Sequence, residues 1–111
     1  MKILHITNEN GKLSNSVFAH ITFAPKEGIP ESNLPMDFLI QDPANYKNSF
    51  AAKLITFARC KLKHLSSIET YLSAGIDRSA FIQNFIILNK SATYDSDIAV
   101  YIYKKREWFF L

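Results

Sequence analysis

A chain of 111 residues with 48% hydrophobic and 21% charged content fits one domain, large enough to bury a core without staples. Nine Phe, five Tyr and one Trp argue against disorder, and the single Cys60 excludes an internal disulfide framework and fits a reducing compartment. The formal net charge of +3 falls short of a dedicated nucleic-acid arm, and no apolar run has the length of a signal peptide or bilayer span, so a cytoplasmic protein without membrane contact is expected.

Residues 2–7 alternate, with Leu4 and Ile6 set against Ile3 and His5. Val17, Ala19, Ile21 and Phe23 repeat at period two over residues 16–24. Between the two runs stands Asn10-Gly11, a pair that accepts positive φ and marks hairpins, so they are read as an antiparallel pair. Pro25, Gly28, Pro30 and Pro35 punctuate a loop over 25–35, and residues 36–41 follow as a short strand. Asp42-Pro43 has helix-opening chemistry, an N-cap followed by a first-turn proline, and Asn48 or Ser49 offers a second start.

Over residues 50–72, Phe50, Leu54, Phe57, Ala58, Leu62, Leu65, Ile68 and Leu72 share one stripe at about 100° per residue, which predicts an amphipathic helix. Arg59 and Lys63 lie opposite that stripe. Lys61 projects into it, so either its stem snorkels out or the segment bends there into two elements. Gly75 supplies the C′ position that ends the helix. Asp77 caps a second helix over 78–89, with Phe81, Ile82, Phe85 and Ile86 on one side; the run is also rich in strand formers, and helix is preferred.

After a polar loop, residues 97–103 form a strand with Ile98, Val100 and Ile102 on a core face. Ala99, Tyr101 and Tyr103 take the other. Lys104, Lys105, Arg106 and Glu107 then turn the chain, and Trp108, Phe109, Phe110 and Leu111 return as a partly buried edge strand. These elements describe a single α+β domain over residues 1–111. Its antiparallel sheet comes from N- and C-terminal hairpins and packs against two or three helices from the middle of the chain.

No Gly-rich phosphate loop, Gly-x-Ser-x-Gly or His-Glu-x-x-His occurs, so no catalytic residue, cofactor or metal is assigned and the protein is read as a non-enzyme. Cys60 and His64 are spaced as neighbours on a helix, and His5 and His20 sit on strands, but no compact set of four ligands is present. Asp95-x-Asp97 reads as a turn before a strand-start aspartate, since a calcium loop needs more oxygen ligands and a glycine.

Gly75-Ile76-Asp77-Arg78-Ser79-Ala80-Phe81-Ile82, continued by Phe85 and Ile86, resembles the inter-helix joint of ribbon-helix-helix DNA-binding proteins. The resemblance implies that residues 53–59 form a ribbon entering the major groove, with Thr56 and Ala58 at the bases. Arg59, Lys63 and Arg78 would then meet nucleic acid. Any well-capped helix–turn–helix joint asks for the same Gly and Asp on backbone grounds alone.

A motif-poor, aromatic-rich domain of this size has the character of a binding protein that acts by occupying a macromolecular partner, as inhibitors, immunity factors, antitoxins and phage antagonists do. A protein partner is the first expectation and nucleic acid the second. The contact is expected at Tyr101, Tyr103, Lys104, Lys105, Arg106 and Trp108, where aromatics beside cations suit an interface or base stacking. A third reading is a small metal-independent ribonuclease toxin, with His5, His20, His64, Tyr101 and Arg106 as the reacting groups.

Overall fold

The alternating runs become strands, but they pair across the length of the chain rather than with their sequence neighbours. In the computed structural model, which describes residues 2–106, the strands are β1 (Lys2–His5), β2 (Val17–Phe23), β3 (Met36–Asp42), β4 (Asn45–Lys61) and β5 (Asp97–Lys105). They form one sheet in the order β1-β3-β4-β5-β2, antiparallel except for the β1–β3 pair. Helices α1 (Ser67–Ala74) and α2 (Arg78–Leu88) complete a single α+β domain. Residues 108–111, expected as an edge strand, lie outside the described residues.

The expected hairpin of residues 2–7 and 16–24 does not form: β1 and β2 occupy opposite edges of the sheet. Asn10 and Gly11 do take positive φ, 50° and 75°, but within a 3-10 segment, Glu9–Ser14, that carries the chain from one edge toward the other. Asn10 Nδ2 donates to the carbonyl of Ala74, so this crossing is tied to the end of α1. Ser16 and Ala24 bond to β5, which by alternation turns the Ala19 carbonyl toward the edge of β2 that faces away from β5. Lys12, only 2% exposed, donates its Nζ to that carbonyl at 3.1 Å and thereby covers part of the edge.

The helix expected over 50–72 is corrected most. Residues 45–61 are one strand of 17 residues, and only Ser67–Ala74 is α-helical. Asp42-Pro43 opens no helix; the Asp42 carboxylate accepts the Ala44 N–H at 3.0 Å in the turn joining β3 to β4. The cause of the misleading stripe is a β-bulge. Leu54 pairs with Tyr103 and Thr56 with Ile102, leaving Ile55 as the extra residue. Before the bulge Ala52 and Leu54 point to one face; after it Phe57 and Arg59 do. A spacing of two thus becomes three from Leu54 to Phe57, which imitates a helical stripe.

Beyond Lys61, which pairs with Asp97 at 2.8 Å, the chain bends through a short 3-10 turn, Leu62–His64, as the second option for Lys61 required. A capping box then starts α1: Glu69 N–H donates to Ser66 Oγ at 3.2 Å and Ser66 N–H to Glu69 Oε1 at 2.9 Å. Gly75 ends it with φ 69°, and Asp77 caps α2 by accepting the Ala80 N–H at 2.9 Å.

Both faces of the sheet are apolar. Ala19, Ile21, Ile98 and Val100 pack beneath the helices with Leu62, Leu65, Phe81 and Ile82. On the opposite, inner face Phe18, Phe38, Ile40, Leu54 and Tyr103 form a second cluster, joined by Ile29 and Leu34 from the segment between β2 and β3. This arrangement separates positions that the helical stripe would treat alike. Leu54→Ala and Leu62→Ala should each cost about 2–5 kcal/mol, whereas Ile68→Ala, at a site 73% exposed, should stay within about 0.5 kcal/mol. Urea midpoints of the three variants check this; a comparable loss at Ile68 would restore the continuous helix.

Candidate functional site

The residues expected to bind a partner are divided by the pleat of β5. Tyr101 and Tyr103 face the inner cluster, whereas Lys104 stands on the helix side opposite Lys53, beyond the part the helices cover. Tyr103 is 3% exposed, stacked on Phe18 at 5.4 Å between centroids and edge-on to Phe38 at 6.1 Å. It is therefore a core residue and not the outward contact that alternation suggested. Tyr101 is half-buried, 5.1 Å from Phe57. Burial pushes both phenols above their ordinary range, with Tyr101 adding to the effect on Tyr103.

Lys104 and Lys105 belong to the strand and form no turn. Lys105 Nζ sits 4.4 Å over the Phe50 ring, and burial lowers its pKa. Arg106 is exposed, its N–H held by the Ala51 carbonyl at 3.0 Å. Trp108 lies outside the described residues.

The nucleic-acid candidates are engaged separately. Arg59 leans over Phe57 at 5.9 Å on the inner face. Lys63 pairs with Asp95 at 2.7 Å, an ion pair that lowers the Asp95 pKa. Arg78 Nε donates to the Leu65 carbonyl at 2.7 Å, and its Nη2 donates to the Lys63 carbonyl, so it staples α2 to the start of α1. The strand implied as a DNA-entering ribbon exists within β4, but it is one strand of an intramolecular sheet, paired along one edge with β5 of the same chain. The Gly75–Asp77 joint matches the resemblance; the free ribbon does not. Cys60 lies on a strand, so its helical pairing with His64 is lost, and no three His, Cys, Asp or Glu converge on a metal site among the described residues.

A groove that sequence reasoning missed lies beside α2. Phe81, Phe85 and Leu88, at i, i+4 and i+7, make one stripe that passes from buried through half-buried to 80% exposed. Phe23, at the end of β2, meets Phe85 edge-on at 5.3 Å. With Ile76 these residues line a groove of about 270 Å³, rimmed by Glu9 and Asn84. Ile87, 74% exposed, adds apolar surface on the neighbouring side of the helix. The signal was present in the sequence, because the i, i+4, i+7 stripe extends past the residues assigned to the core.

On the inner face, strands from both edges approach one pocket: Leu4 and His5 come from β1, His20 and Thr22 from β2. The sheet is therefore curled, with Tyr101 and Tyr103 between them. Comparison with family models, curated proteins and solved structures finds no match to this chain. Among the described residues no helix is long and apolar enough to cross a membrane.

The architecture also alters the titration of His20. Burial, with a smaller contribution from the Lys12 charge, lowers its pKa from 6.5 to about 4. The unfolded chain thus binds the proton more tightly than the folded one, so stability is full above pH 6.5 and declines as the pH falls toward 4. The loss should be on the order of 1–2 kcal/mol, because solvent reaches the half-buried ring. Urea midpoints at pH 7 and 4.5 should differ less in His20→Asn than in the parent; an unchanged difference would assign the acid sensitivity elsewhere.

Proposed function

We propose that this chain is a non-enzymatic binding module that acts by occupying a protein partner, with the α2–β2 groove as its contact. The observation that carries the reading is the stripe Phe81–Phe85–Leu88, whose outer end has nothing over it among the described residues. A leucine at that exposure, beside Ile87 and the partly open Phe23, leaves contiguous apolar surface of the kind that marks recognition sites. An apolar side chain of the partner would continue the aromatic packing begun by Phe23 and Phe85. Glu9 and Asn84 at the rim would supply polar contacts around that anchor. An inhibitor-like role follows from this mode of action, since seating on a partner needs no chemistry of its own. The half-buried thiol Cys60, its pKa raised by burial, suits a reducing interior.

The test is capture from the native host with the full chain as bait. Leu88→Glu should remove the captured protein while changing stability by less than about 0.5 kcal/mol, because the side chain is exposed. Capture that survives both Leu88→Glu and Ile87→Glu would contradict the groove as the contact.

A further inference from the structure

The pocket on the inner face has a chemistry distinct from the groove. Its volume is about 290 Å³, roughly twice that of an engineered cavity of about 150 Å³ that admits benzene. Leu4, Ile6, Ile29 and Leu54 give it aliphatic walls, and Tyr101 and Tyr103 lie between strands of opposite edges. Among the described residues no Asp, Glu, Lys or Arg side chain lines it. The polar groups in the lining are two phenol hydroxyls, the Thr22 hydroxyl and the imidazoles of His5 and His20; His5 is engaged by Gln41 Oε1 at 3.2 Å, and burial keeps His20 neutral near pH 7. Among the described residues no side-chain hydrogen bond engages the two phenols or His20, and no buried polar atom is sealed away unpaired. Their bonding capacity is therefore left for a molecule in the pocket.

These properties select a ligand class. An ion entering this lining would lose its hydration with no counter-charge to replace it. A neutral ring or short branched chain would be matched by the aliphatic walls and by the aromatic surfaces of Tyr101, Tyr103 and Phe38. An oxygen acceptor on such a molecule would meet a phenol O–H as donor.

We infer that this pocket binds an uncharged small molecule, of one or two rings or a short branched chain, carrying an oxygen that accepts a hydrogen bond from Tyr101 or Tyr103. The reading is independent of the groove beside α2, which lies on the other side of the sheet.

The probe is Prodan, a neutral naphthyl ketone whose emission reports polarity, titrated into the full chain. Saturable, blue-shifted binding of one probe per chain is expected. Tyr101→Phe or Tyr103→Phe should weaken it about five-fold, the equivalent of one hydrogen bond. Ile29→Trp should fill the pocket and abolish binding, Leu88→Glu should leave it unchanged, and the anionic anilinonaphthalene sulfonate should bind at least about ten-fold more weakly. Should Ile29→Trp fail to fold, the tyrosine variants and Leu88→Glu still decide. The inference is overturned by absence of saturable binding, by affinity that neither tyrosine variant alters, by loss of binding in Leu88→Glu, or by equal affinity for the sulfonate.

Discussion

The bulge at Ile55 is the constraint on which the rest of the molecule depends. One extra residue in β4 lets Leu54 and Phe57 share the inner face while Thr56, Ala58 and Cys60 turn toward the helix side. The first half of β4 pairs with β3 and the second with β5, so this strand joins the two halves of the sheet. Bulges also add local twist and bend, and a bent central strand accounts for β1 and β2, at opposite edges, lining one pocket. Without the parity change, Phe57 would leave Tyr101 and the inner aromatic row would be broken.

The same residue explains why the middle of the chain was the least legible part. Alternation was readable in β2 and β5, whose register against each other runs without a shift. Gly75 and Asp77 were readable because their roles are local and backbone-determined. In β4 the interruption produced the i, i+4, i+7 spacing that local reasoning assigns to a helix. Which strands pair was not legible either, since β1–β3 and β2–β5 are contacts between distant segments with no turn to declare them.

Site residues were misjudged for a related reason. Alternation divides β5 into two faces but does not say that both are covered. Ile98 and Val100 were rightly placed beneath the helices, yet Tyr103 proved equally buried in the inner cluster. Several cations that looked free on a linear reading are engaged: Arg78 by carbonyls, Lys63 by a carboxylate, Arg59 and Lys105 by aromatic rings, while Lys104 and Arg106 stay exposed. Among the described residues two hollows with much apolar lining stay open: a groove where the α2 stripe outruns its cover, and a pocket inside the curl. Both are consequences of covering a two-faced sheet with short elements.

Nuclear Overhauser contacts along residues 50–61 test the bulged strand most directly. The account predicts inter-strand contacts joining Leu54 to Tyr103 and Thr56 to Ile102, with Ile55 unpaired between them and strong sequential α-proton-to-amide contacts throughout. Sequential amide-to-amide contacts together with i to i+3 contacts running through residues 50–72 would contradict it, and with it the curl, the pocket and the placement of Tyr101.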